Sequence, residues 1–172
     1  MRRNDILTML GGGDRRSIGR ADRVAAMVGR DRRLFAKLMA GLWSESALVR
    51  MRAADAAEKV TREKPEWLTP HRKELLGLLA EVEEQEVRWH LAVMVPRLAL
   101  SAKERAQAIS ALNRYLEDRS SIVKTFALQG MAELAKEDAS LGAAVIETLR
   151  EATRSGTAAM KARSRKLLKQ LE

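Results

Sequence analysis

The sequence predicts an all-α chain built from paired helices that recur about every 37 residues. Three observations carry this. The apolar set is dominated by Ala, Leu, Val and Met, with aromatics at only 3%, a mixture that suits closely packed helices better than sheets. Apolar residues follow three- and four-residue spacing along the whole chain, and no alternating strand pattern competes. An apolar-basic pair recurs as Val49-Arg50, Val87-Arg88, Val123-Lys124 and Met160-Lys161, at spacings of 38, 36 and 37 residues.

Residues 4–10 are expected to form a short helix, capped by Asn4 or Asp5 and stopped at Gly11, Gly12 and Gly13. Asp14 then caps a helix to about Gly29, with Ile18, Ala21, Val24, Ala25 and Val28 on one face. Asp31 opens the next, carried by Leu34, Phe35, Leu38, Met39 and Leu42. Ser44 caps a helix to about Arg62. Glu63 to Thr69 reads as a loop, and Thr69-Pro70 as an N-cap with proline at the first helical position.

That helix runs to about Ala80. Glu84 to Leu100 follows as the most apolar segment, expected to be the central helix of the stack, with a kink between Ala92 and Pro96 or an early end to regular packing. Ser101 and Glu104 form a capping box. Asp118 opens the helix to Lys136, Asp138 the one to about Arg154, and Thr157 the last.

Positions four, seven, eight and eleven after each anchor are mostly apolar or small. They are Ala53, Ala56, Ala57 and Val60 in the first unit, and Leu91, Met94, Val95 and Leu98 in the second. The third has Ala127, Gly130, Met131 and Leu134, and the last Ser164, Leu167, Leu168 and Leu171. A shared period of this length marks a repeat architecture. The units fall at about 31–62, 69–100, 101–136 and 138–172. Together with the helix before them they predict one repeat domain over 14–172, preceded by a tail, short helix and glycine-rich turn over 1–13.

Two helices per unit, with V-[RK] opening the second, resemble HEAT and HEAT-like repeats over residues 31–172. GGDRRSIGRAD, VRMRAADAAEKVTRE, VRWHLA and RSSIVKTFALQ also resemble small prokaryotic HEAT-repeat proteins without an assigned activity. The turn aspartate usual in such repeats is matched by Asp118 alone. The resemblance implies a right-handed α-solenoid of about four hairpins, with an extra N-terminal helix as an orphan half-repeat. It also implies that Arg50, Arg88, Lys124 and Lys161 bond turn carboxylates and carbonyls, and that the second helices line a concave face.

Composition narrows function less than fold. At 172 residues and 46% hydrophobic content the chain can bury a core. With no cysteine, disulfides and thiolate metal sites are excluded. No segment approaches a membrane span, and the apolar run near the start is too short for a signal peptide, so a cytoplasmic location and no membrane partner are expected. The net charge of +9 favours polyanionic partners, but it is unevenly spread. Residues 1–62 hold fourteen Lys/Arg against seven Asp/Glu, residues 63–118 eight against ten, and residues 119–172 ten against six.

Steps of two, six, nine and thirteen after the anchor point away from the buried face at 100° per residue. Those positions are Met51, Asp55, Glu58 and Arg62 in the first unit and Trp89, Val93, Pro96 and Leu100 in the second. Only the second set is apolar, which marks either mid-stack burial or a docking patch of the kind tryptophan anchors. The expected role is a non-enzymatic scaffold binding a protein partner around Trp89, Val93, Pro96, Met51 and Asp55.

The alternative is nucleic-acid binding by two basic clusters, Arg15, Arg16, Arg20 and Arg23 at the front and Lys161, Arg163, Arg165, Lys166 and Lys169 at the end. Their duller role is to keep the terminal helices solvated. A third reading comes from the resemblance, because some HEAT-like proteins are DNA-repair glycosylases with a carboxylate and aromatics in a basic groove. Asp55 and Trp89 would take those positions, but no further aromatics join them.

No metal site or cofactor is expected. His71 and His90 are each followed four residues on by an apolar side chain, not a second ligand. The glycine-rich turn lacks the lysine and strand of a P-loop. The glutamates at 81, 83, 84 and 86 suit a helix N-terminus.

Overall fold

A hydroxyl three residues before the anchor starts three of the four second helices. Ser46, Ser120 and Thr157 accept the amide N–H of Val49, Val123 and Met160, satisfying a donor that the first helical turn leaves open. Glu84 holds the equivalent position without a side-chain cap bond. Ser44 and Asp118, expected as caps, lie two residues further upstream. Each accepts a backbone N–H at the turn, from Ser46 and Ser120 respectively.

The computed structural model describes residues 5–172; Asn4, the alternative first cap, lies outside them. Among the described residues there are α-helices and short 3-10 turns but no strands. The helices are α1 (Ile6–Leu10), α2 (Ala21–Arg30), α3 (Phe35–Ala40), α4 (Ala47–Glu63) and α5 (Arg72–Glu81). They continue with α6 (Gln85–Met94), α7 (Ala102–Tyr115), α8 (Ser121–Lys136), α9 (Ala139–Ser155) and α10 (Ala158–Leu171). None is long and apolar enough to cross a membrane. The chain divides into two compact units, one running to His71 and the other from Arg72 to Glu172.

In the first unit α4 is the central element, packed by α1, α2, α3 and the 3-10 turns Gly41–Trp43 and Pro65–His71. Helix α1, expected as part of a tail outside the domain, is therefore part of this packing: Ile6 and Leu10 are fully buried. Helix α2 starts at Ala21, not at Asp14. Residues 11–20 instead form a loop with Gly12, Gly13 and Gly19 at positive φ.

The cause is Arg52, a charged residue only 2% exposed. Its Nε donates to the Ser17 carbonyl, Nη1 to those of Leu10 and Gly12, and Nη2 to those of Asp14 and Ser17. All five guanidinium N–H donors are satisfied. The chain must curl to deliver four carbonyls to one centre, which a helix beginning at Asp14 could not do.

The second unit consists of three helical hairpins, α5–α6, α7–α8 and α9–α10. Helix α8 contacts α6, α7, α9 and α10 and is the true centre of this unit, a place expected for the 84–100 segment. That segment is not one helix. It is α-helical to Met94, continues as a 3-10 turn over Val95–Arg97, and is extended at Leu98. Pro96 sits in the turn, where its missing N–H costs no helical bond.

Helices α6 and α8 approach closely: a Cβ on Gly130 would lie 2.3 Å from the carbonyl oxygen of Ala92. Arg88 binds across the turn as expected, donating to the Val82 carbonyl and, at 2.6 Å, to the Asp118 carboxylate. Arg50 likewise donates to the carbonyls of Ser44 and Glu45 in the first unit.

Candidate functional site

On α6, α8 and α10 three side chains form a continuous stack. The Trp89 and Phe126 rings lie 5.3 Å apart and nearly parallel, at 25°. Arg163 places its guanidinium carbon 5.5 Å from the Phe126 centroid, within cation–π range. On the other neighbour, the His90 ring stacks on Trp89 at 3.4 Å. His90 is itself buried and its Nδ1 meets the Glu86 carbonyl at 2.5 Å, so it is a packed side chain in a helical turn. Among the described residues no group of three or more His, Cys, Asp or Glu is arranged to hold a metal.

Trp89, Val93, Pro96, Phe126, Gln129 and Arg163 are all half-buried. Polar bonds hold the stack's lower edge. Arg163 donates to the Gln129 side chain at 2.7 Å, Gln129 donates to Glu133, and Lys136 joins Glu133 to Gln170. The face therefore grades from apolar on α6, through amide and carboxylate on α8, to cationic on α10. Trp89 lies between the His90 and Phe126 rings, and Phe126 between the Trp89 ring and the Arg163 guanidinium, so what they offer a ligand is edge more than face. That suits the flank of a peptide side chain better than an inserted base, which needs a free face.

The outward steps of the repeat pick out Trp89 but not Phe126, which sits three residues past its anchor and not two; Arg52, His90, Phe126 and Arg163 occupy that position in the four units. The available signal was that each unit carries a large or charged residue there. Leu100, placed on the same face, is buried.

In the first unit the corresponding face is closed. Met51 and Asp55 are each 8% exposed and Glu58 4%, on the helix that α2 packs against. The Asp55 carboxylate is held by Lys59 at 2.7 Å, and Lys59 also pairs with Asp22 of α2. Glu58 is gripped by both Nε and Nη2 of Arg62. Burial works against the charge on Lys59, but its bonds to Asp22 and Asp55 outweigh that and raise its pKa. The expectation that Met51 and Asp55 stand open to a partner fails: both are buried on α4, and Lys59 ties Asp55 to Asp22 of α2. A carboxylate committed to an ion pair and covered in this way is also poorly placed as the base of a glycosylase.

The basic clusters stay outside. Arg15, Arg16, Arg20 and Arg23 are all exposed, as are Arg165, Lys166 and Lys169, while Lys161 and Arg163 are half-buried. The two clusters lie in different units. In comparisons with known proteins, no family model, no curated protein and no solved structure matches this chain.

Proposed function

We propose that this chain is a non-enzymatic interaction scaffold of the HEAT-like class, a right-handed α-solenoid whose second helices present a docking face. The face is the Trp89–Phe126–Arg163 row with Val93 and Pro96 beside it. Its occupant is a protein segment with an apolar or aromatic side chain for the α6 end and carboxylates for the α10 end. The observation that carries this reading is the grading of one face from half-buried tryptophan to arginine, with Lys166 and Lys169 exposed nearby on α10. Interfaces of this kind place aromatic and arginine anchors at the centre and charge at the rim.

The test uses defined peptides carrying one aromatic residue followed by glutamates, titrated against the full chain and read by fluorescence anisotropy. Trp89→Ala should weaken binding by roughly tenfold or more, the loss of one anchor. Lys166→Glu with Lys169→Glu should shift preference towards peptides of the opposite charge. Peptide binding that responds to neither change, in variants that still melt as folded proteins, would remove the reading.

A further inference from the structure

The first unit carries a second surface that the docking face does not use. Helix α2 buries Ala21, Val24 and Val28 and turns Arg20, Arg23 and Arg30 to solvent. At steps of three and seven residues these arginines form one stripe, with Met27 between the last two. Ten residues of helical rise make the stripe about 15 Å long. The loop before it adds Arg15 and Arg16, both exposed.

Two aspartates in this segment leave it net positive. Asp22 sits about 100° round the helix from Arg23 and pairs with Lys59, and the Asp14 carboxylate, which accepts the Arg16 backbone N–H, offsets one of the five arginines. Among the described residues, Arg16, Arg20, Arg23 and Arg30 show no ion-pair partner. Beneath the loop the Arg52 guanidinium is buried against carbonyls, so it fixes the loop's course and adds positive charge under it. A Cβ on Gly19 would lie 2.6 Å from the Arg52 Cζ, which shows how closely the loop wraps this cation.

We infer that this stripe and loop bind the phosphodiester backbone of duplex nucleic acid without reading its sequence. A straight row of guanidinium groups matches a line of phosphates, each of which arginine can meet with two donors. Residues 14–30 contain no aromatic side chain, so the surface lacks the stacking platforms that single strands use. Ile18 is the one large apolar side chain exposed here. One isoleucine buries far too little area to anchor a protein to a lipid surface, nor does it make the apolar centre of a protein interface. The inference is independent of the docking face in the second unit.

The experiment measures binding of the full chain to a mixed-sequence DNA duplex across a salt series. Arg16, Arg20, Arg23 and Arg30 can neutralise about four phosphates, one for each guanidinium. Log affinity should then fall against log salt with a slope near −4, a loss of roughly a hundredfold between about 50 and 200 mM. Arg23→Gln should reduce the slope by about 1. Combining Arg16→Gln, Arg20→Gln, Arg23→Gln and Arg30→Gln should abolish binding while circular dichroism and melting stay unchanged.

Arg165→Gln with Lys166→Gln and Lys169→Gln should leave binding intact. The inference is overturned by duplex affinity that survives the fourfold change or disappears with the C-terminal one. A preference for single strands, or binding to phosphatidylserine vesicles without binding to duplex, overturns it as well.

Discussion

The carbonyl oxygen of Ser17 accepts two N–H bonds from Arg52, one from Nε at 3.1 Å and one from Nη2 at 3.0 Å. Thirty-five residues separate the two in sequence. With the carbonyls of Leu10, Gly12 and Asp14, this contact makes a buried cation the organising centre of the N-terminal loop.

Arg52→Leu should therefore be among the most damaging single changes in the chain. It leaves four carbonyls without their donor, that of Leu10 buried, at a cost on the order of 3–5 kcal/mol. Arg52→Lys should recover less than half, because an ammonium has three donors and cannot reproduce the planar fork. Urea denaturation gives the size, and hydrogen exchange at residues 10–19 should show the loop opening first. A loop that stays protected in Arg52→Leu would show that the guanidinium does not hold it.

Glycines inside helices should split into two groups. Gly130→Ala forces a methyl to within 2.3 Å of the Ala92 carbonyl oxygen, so α6 and α8 must part, at a cost of about 1–3 kcal/mol. Gly77→Ala and Gly142→Ala meet nothing within 4 Å and should stabilise by about 0.5–1 kcal/mol through helix propensity and a less flexible unfolded chain. Thermal melts of the three variants should give opposite signs.

The Arg88–Asp118 pair should matter far more than ion pairs of similar length at the surface. The Asp118 side chain is only 4% exposed and Arg88 23%, so Arg88→Ala leaves a covered carboxylate without its cation, costing about 2–4 kcal/mol. Arg150 and Glu172 are about half exposed at 2.7 Å, and breaking that pair should cost less than about 0.5 kcal/mol. A double-mutant cycle on each pair reads the difference directly.

Acid should destabilise the fold from about pH 4 downward. Asp138 is held below its ordinary 3.8 by the Ser140 hydroxyl and by Arg105, Asp5 by its bond to Lys37, and Asp31 by Arg33. Glu104 is held below 4.5 by the Ser101 backbone N–H. Because these folded-state values lie below the unfolded ones, their stabilisation is complete above the unfolded values. It shrinks as pH falls through the folded ones. The melting temperature should be nearly flat between about pH 5 and 7 and drop below about pH 4, with a smaller drop in Asp138→Asn.

What was legible in the sequence was local. Helix identity follows from spacing that a single helix expresses. The capping box at Ser101 and Glu104 is complete in four residues and is present as read. The resemblance to HEAT-like repeats implies turn bonds for Arg50, Arg88, Lys124 and Lys161, and Arg50 and Arg88 make them. The basic clusters were also visible, since exposed arginines need no partner to be recognised.

Which side of each helix is covered was decided by tertiary structure. Met51 and Asp55 read as an open face but are buried on α4, which α2 packs against, and no pattern within α4 announces a helix that begins twenty-six residues earlier. Nothing in the sequence singles out Arg52, because its partners are carbonyls, which every residue has and no sequence motif marks. Phe126 joins Trp89 only because α6 and α8 meet closely at Gly130 and Ala92, which brings the third position of one helix against the second of the other. Periodicity is a property of one helix, whereas burial depends on which helices meet and how closely, and those contacts are made only in the folded chain.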